Sequence, residues 1–272
     1  MRLAEKSSTE RREKEIMSMT TVEMERALKQ LRLAGIRATL ETRALQAHQS
    51  GLGFMETFSL LIQDELDRRK TRQIERRYKL SGLDERKTME EFDWSYNPKL
   101  PKRACFELMT LKFIAETADP ILIGKPGTGK SHIAKAVTLS AVLAGYAVIY
   151  GEAEELLARI ASAPEVARKK MIEQVIGSDL LVLDDLFLHR GLAEELSGVL
   201  QQILHKRYKL RRSTLITSNR VMSDWGNFLG DNAMTSTLLD RLMHRGLLLE
   251  FQGKSYRLKE AAERLAQGRS SG

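Results

Sequence analysis

The sequence predicts an α/β fold in which a mostly parallel, five-stranded sheet is covered by helices and preceded by a small all-helical N-terminal domain. Three observations carry this expectation. From Thr20 to Tyr78 there is no proline and apolar residues recur at helical spacing; from Phe92 to Pro101 that periodicity lapses; beyond Pro120 short apolar runs alternate with amphipathic helical segments.

Residues 1–19 are rich in charge (Arg2, Glu5, Lys6, Glu10, Arg11, Arg12, Glu13) and read as a disordered tail; with no apolar run behind them they do not form a secretory signal. A basic helical domain follows over residues 20–96. Leu28, Leu31 and Ala34, then Phe58, Leu61, Ile62 and Leu66, give its helices their apolar faces; Gly51-Leu52-Gly53 separates helices and Ser81-Gly82-Leu83 stops the most charged one. Pro98 and Pro101 hold the preceding residues extended, which sets a boundary and a second domain over 97–260, with a tail at 261–272. Its candidate strands are Ile121 to Ile123, Ala147 to Tyr150, Leu180 to Leu183, Thr214 to Thr217 and Leu247 to Phe251. Short strands rich in Ile, Leu and Val, separated by helices, imply a sheet covered on both faces with ligands beyond the strands' carboxyl ends.

Composition narrows the function classes. With 42% hydrophobic and 29% charged residues, the 272-residue chain is neither disordered nor fibrous, and its net charge of +8 favours a polyanionic partner. Cys105 is the only cysteine, which excludes an intramolecular disulfide and any zinc site with two thiolates, and fits a reducing cytoplasm. The most apolar stretch, residues 136–151, is shorter than the roughly 20 residues of a spanning helix. A cytoplasmic protein without a membrane partner is expected.

The chemistry starts at Gly124-Lys125-Pro126-Gly127-Thr128-Gly129-Lys130-Ser131, placed between a strand and a helical run that opens at His132. This is the setting of a P-loop: glycines let backbone amides cradle phosphates, Lys130 reaches the β and γ phosphates, and the Ser131 hydroxyl joins the shell of Mg²⁺. The cofactor-binding positions are Gly124, Pro126, Gly127, Thr128, Gly129, Lys130, Ser131 and His132. His132 and His189 show no metal-ligand spacing with any partner, so both are read as structural. A phosphate loop implies a second, acidic element, and Leu180-Leu181-Val182-Leu183 runs into Asp184-Asp185. Asp184 is assigned to the metal with Ser131, and Asp185 to the attacking water. Thr214 to Thr217 ends at Ser218-Asn219; Asn219 holds the lytic water on one reading, and Ser-Asn is an ordinary turn on the other. ATP and Mg²⁺ are the expected cofactors.

These motifs in this order resemble the AAA+ ATPases, in which the polar residue that ends the Ser-Asn strand is called sensor 1. The likeness is greatest to the IstB-type ATP-binding proteins of bacterial insertion sequences and their relatives, the DnaC-type helicase loaders. It rests on Phe92-Asp93-Trp94-Ser95-Tyr96-Asn97-Pro98, Gly124 to Ser131, Leu183-Asp184-Asp185, Ile216-Thr217-Ser218-Asn219 and Gly253-Lys254-Ser255-Tyr256-Arg257. The resemblance implies an AAA+ domain without the C-terminal helical lid, a homo-oligomer with ATP sites between subunits, and delivery of a cognate IstA-type transposase to target DNA. It also implies an arginine supplied to the neighbouring subunit. Asp240-Arg241-Leu242-Met243-His244-Arg245 matches that segment, with Arg245 the first choice and Arg241 the second.

Duplex DNA is the expected polyanion. Arg68, Arg69, Lys70, Arg72, Arg76, Arg77 and Lys79 cluster in one helical segment, and guanidinium groups pair bidentately with phosphates. The aromatic linker either stacks on adenine or packs between domains. A DnaC-like loader of a replicative helicase, which the same resemblance implies, competes with the transposition reading, as do a small-molecule P-loop kinase and a non-catalytic DNA scaffold.

Overall fold

The computed structural model describes residues 19–187, 192–229 and 233–269; the expected tail at 1–19 therefore lies outside the described residues apart from Met19, as does His189. The chain forms two compact units that meet in sequence at Gln73 and Ile74.

In the first unit, helix α1 (Thr21–Gln30) opens with a capping box: the Thr20 hydroxyl accepts from the Glu23 amide at 3.3 Å while the Glu23 carboxylate accepts from the Thr20 amide at 2.9 Å. Helix α2 (Ala34–Ser50) has no such cap from Leu33. Its cap comes instead from Glu65 of helix α3 (Phe54–Ser81), a buried carboxylate that accepts from the Gly35 and Ile36 amides. Negative charge at a helix N-terminus is favoured by the helix dipole. A Cβ on Gly35 would lie 2.5 Å from the Glu65 Cα, so glycine permits this close approach. Arg43 grips Asp64 with two hydrogen bonds of 2.9 and 2.7 Å, which hold the Asp64 carboxyl down to about 2.

The second unit begins earlier than the boundary at 96/97 that the prolines suggest. Leu83, Met89 and Leu100 are buried in its core, and Trp94 packs on Phe92 and Phe106 with ring centroids at 4.4 and 5.5 Å. The aromatic segment is part of this unit and not a linker. After α4 (Lys102–Met109) and α5 (Lys112–Ala115) come β1 (Asp119–Gly124), α6 (Lys130–Ala144), β2 (Val148–Glu152), α7 (Ala153–Ala161), α8 (Glu165–Gly177) and β3 (Leu180–Leu186). There follow α9 (Glu194–Lys209), β4 (Ser213–Ser218), α10 (Trp225–Leu229), α11 (Ala233–Arg245), β5 (Gly246–Phe251) and α12 (Tyr256–Arg269).

The strands form one parallel sheet in the order β2-β3-β4-β1-β5. Alternation along the strands sends Ile121, Ile123, Leu181, Leu183 and Ile216 to one face, under residues of α7, α8 and α9. Leu122, Leu180, Val182 and Leu215 go to the other, under α6. Each such side chain taken from water stabilises the fold by about 1.5–3 kcal/mol. Because both faces are covered, the carboxyl ends of the strands are left to carry chemistry.

Two expectations are corrected here. β3 does not end at Leu183: it runs through Asp184 and Asp185 to Leu186, with a register shift against β4 between Leu183 and Leu186. Residues 261–269 are not a tail but continue helix α12. Among the described residues no helix is long and apolar enough to cross a membrane.

Candidate nucleotide-binding site

Strand β1 ends at Gly124, and the chain turns through Gly127 and Gly129 with φ of 76° and 100° before α6 begins at Lys130. Positive φ favours glycine, and space demands it as well: a Cβ on Gly127 would meet the Ser255 hydroxyl at 2.1 Å, and one on Gly129 the Phe92 ring at 2.4 Å. Gly129 offers α6 no side-chain cap, so the first amides of that helix remain available to an anion. The Thr128 hydroxyl braces the loop by donating to the Lys125 carbonyl at 2.8 Å.

Lys130 is buried, and its ammonium donates to the Gly124 and Lys125 carbonyls at 2.8 and 3.1 Å. Burial lowers its pKa, opposed by the charges of Asp185 and Asp184. Above the loop lies a cavity of about 480 Å³ lined by residues 126–132, Phe92, Tyr96, Asp185, Asn219 and Arg257. The volume is in the range of small-molecule sites. His132 borders the cavity; its ring is bonded to the Thr88 carbonyl at 2.7 Å and meets Phe92 edge-on at 5.2 Å.

The two aspartates have different surroundings. Asp184 is buried and turned into the sheet, one oxygen accepting from the Tyr150 hydroxyl at 2.7 Å and the other from the Thr217 hydroxyl. Asp185 lines the cavity, its backbone held at φ 49°. Burial and the neighbouring Asp184 charge raise the Asp185 pKa, while Lys130 and Arg257 lower it. Asn219 follows β4, and its side-chain oxygen is buried without a hydrogen-bond partner among the described residues. An orphaned acceptor at a cavity wall is what a bound water or hydroxyl group would satisfy.

The sequence reading missed Arg257. Helix α12 is seated on the phosphate loop: the Tyr256 amide donates to the Gly127 carbonyl at 2.8 Å. The segment before α12 is clasped by the aromatic stretch. The Asn97 amide donates to the Lys254 carbonyl and accepts from the Lys254 amide, both at 2.9 Å, and Lys259 bonds Asp93 at 3.2 Å while lying over the Tyr96 and Tyr256 rings. Arg257 thereby reaches the cavity that holds Lys130 and Asp185. The signal was present in the spacing of Leu258, Ala261, Ala262 and Leu265, which marks a helix after β5.

A divalent cation finds no full cage here, since among the described residues no group of three or more His, Cys, Asp or Glu could hold one. Mg²⁺ ordinarily binds through one or two protein oxygens plus phosphates and keeps several waters. Ser131 borders the cavity, whereas Asp184 is buried and is not among its lining residues.

Arg241 and Arg245 stand at the other edge of the sheet. Arg245 donates to the Thr117 carbonyl, to the Tyr208 carbonyl at 3.3 Å, and lies 3.6 Å from Asp119, the first residue of β1. From Asp119 to the phosphate loop the strand rises about 17 Å. Neither arginine serves its own chain's cavity. Arg245, the first choice, has a side chain only 11% exposed, with one guanidinium nitrogen buried and unpartnered among the described residues. Burial raises Asp119 to about 6 and lowers Arg207, in the same cluster, to about 9. Among the described residues, Arg241 has His205 and the face of Tyr208 as partners.

All seven basic residues expected at DNA lie on α3. Arg68, Lys70, Arg72, Arg76 and Lys79 are exposed, whereas Arg77 is half-buried and Arg69 bonds Glu65 at 2.6 Å. Arg69 therefore also has a part in the Glu65 cap.

Residues 26–264 match the family described as IstB-like ATP binding protein. The chain is 32% identical over 239 residues to an ATP-binding protein named for insertion sequence IS21 from Pseudomonas aeruginosa, covering 88% of this chain and 89% of that one. It is 28% identical over 242 residues to an insertion-sequence ATP-binding protein from Mycobacterium tuberculosis, covering 89% and 96%. Among solved structures, DnaI shares the fold with a TM-score of 0.52 at 19% identity, covering 62% of this chain and 90% of that one. DnaA from Aquifex aeolicus bound to AMPPCP gives 0.53 at 23% identity, covering 68% and 56%.

Proposed function

The chain belongs to the IstB-like ATP-binding proteins, with an AAA+ fold and ATP as its nucleotide, and on that premise we propose that it hydrolyses ATP at a site shared between subunits assembled on duplex DNA. In that assembly it presents the DNA to a transposase. The observation that carries the reading is the cavity joining Lys130, Asp185, Asn219 and Arg257, which has phosphate-binding groups but no catalytic arginine from the far edge of its own sheet.

In this reading the loop amides and the start of α6 hold the phosphates. Lys130 exchanges two carbonyls for the β and γ phosphates, and Arg257 adds a second positive charge from α12. Asp185, its basicity raised by burial, orients the attacking water with Asn219. Ser131 and Asp184 are the residues that would hold Mg²⁺. Bound Mg²⁺ supplies neutralisation of the charge on the phosphate oxygens. Arg241 of a neighbouring copy completes the site.

Exposed arginines and lysines of α3 carry the proposed DNA contact. The experiment is phosphate release from ATP with and without duplex DNA, together with DNA affinity at several salt concentrations. Duplex DNA is expected to stimulate release. The logarithm of affinity is expected to fall linearly with that of salt, by about 0.9 per phosphate neutralised. Replacing Arg68, Arg72 and Arg76 with alanine should make the slope shallower by roughly one unit for each phosphate no longer neutralised. Affinity that barely changes with salt would contradict the DNA reading, and a preference for single strands would turn it toward helicase loading.

A further inference from the structure

We propose that Thr217 is a positioning residue that sets both aspartates of the site through one hydroxyl group. The inference rests on the ATPase reading above. Thr217 is buried in β4, and its Oγ1 donates to Asp184 Oδ1 while accepting from the Asp185 amide at 2.8 Å.

Geometry explains why this hydroxyl matters. In a regular strand, Asp184 and Asp185 would each continue the ladder, and β4 would pair with them as it does with Leu183. Here the ladder slips between Leu183 and Leu186, and Asp185 takes a left-handed backbone conformation at φ 49°, which is disfavoured for a residue with a side chain. Such a conformation persists when its surroundings over-determine it. Where β4 would ordinarily offer a main-chain carbonyl, the Asp185 amide takes the Thr217 hydroxyl. That same oxygen spends its proton on Asp184. The Tyr150 hydroxyl fixes the other Asp184 oxygen at 2.7 Å, so this carboxylate stays in the sheet while its neighbour lines the cavity. Two residues further along the chain, just past the end of β4, comes Asn219. Thr217 thus ties the strand end that carries Asn219 to the pair that carries the proposed acid-base chemistry. Thr217 is not among the residues that line the cavity, and its hydroxyl acts through the aspartates it binds.

Thr217→Val keeps the shape and removes the hydroxyl; Thr217→Ser keeps the hydroxyl. The valine variant is expected to lose roughly 100-fold in turnover number, the size of effect that follows misplacement of a reacting group by about 1 Å. Its affinity for a non-hydrolysable ATP analogue should stay within about threefold, because Lys130 and the loop are untouched. Serine should restore most of the turnover. Thr217→Ala replaces valine in the comparison if the valine variant does not fold, and amide hydrogen exchange at residues 183–187 should rise in either variant and return to normal with serine. A folded valine or alanine variant with turnover within about threefold of the parent would overturn the proposal, as would equal losses in affinity and turnover. Wild-type protein that releases no phosphate, alone or with duplex DNA, sinks the ATPase reading itself. An active wild type beside an unimpaired variant sinks only the role of Thr217.

Discussion

Lys130→Ala is expected to weaken ATP binding by on the order of 100-fold or more. Each charge-assisted hydrogen bond to a phosphate is worth about 1.5–3 kcal/mol, and every 1.4 kcal/mol is tenfold in affinity. A side chain that reaches two phosphates therefore accounts for at least two decades. Without nucleotide, the loss should leave the fold standing: the ammonium is buried and its partners are the Gly124 and Lys125 carbonyls of its own loop. Isothermal titration with a non-hydrolysable analogue, beside a melting curve of the free protein, checks both halves. Binding within about threefold of the parent would show that phosphates do not lie on this loop.

The second large effect comes from mixing variants. Asp185→Asn should abolish turnover by disabling its own chain's cavity, and Arg241→Ala by withholding the arginine from a neighbour's cavity. Loss of an arginine acting in trans costs about 10³ to 10⁵ in rate. Neither protein alone should turn over ATP appreciably. In an equimolar mixture, random head-to-tail assembly leaves about a quarter of the sites with an intact Asp185 on one side and an intact Arg241 on the other, so about a quarter of the parental activity should return. The distance between these residues in one chain motivates the test: Asp185 lies at the carboxyl edge of the sheet, and Arg241, stacked on Tyr208, belongs to the cluster at the amino edge. A mixture as inactive as its parts would mean that each chain completes its own site or that Arg241 is not the supplier. Arg245→Ala is the control. Because Arg245 is bound to the Thr117 and Tyr208 carbonyls and lies beside Asp119, its loss should lower the melting temperature.

Much of this was legible in the sequence because the relevant signals are local. Runs such as Leu180 to Leu183 and Thr214 to Thr217 declare buried strands by apolarity alone, and Gly-x4-Gly-Lys-Ser declares a phosphate loop by spacing. Partners distant in sequence were not legible. Phe92 reads as a residue of a linker until its ring is seen filling the space over Gly129, 37 residues further on by their numbers. Arg257 reads only as the end of a short motif after the last strand until the Tyr256 amide is found on Gly127. Arg241 and Arg245 look equivalent on one helix, and only their surroundings separate them. The two aspartates are recognisable as a pair, yet the strand's alternation cannot show that a slipped ladder buries one member and turns the other toward the cavity.

The central claim is that ATP in this cavity governs assembly on duplex DNA, and sedimentation of the protein with a defined duplex measures it directly. With a non-hydrolysable ATP analogue, the account predicts one large DNA-bound species that is absent with ADP and absent for Lys130→Ala. The same species in all three samples, or none in any, would contradict it.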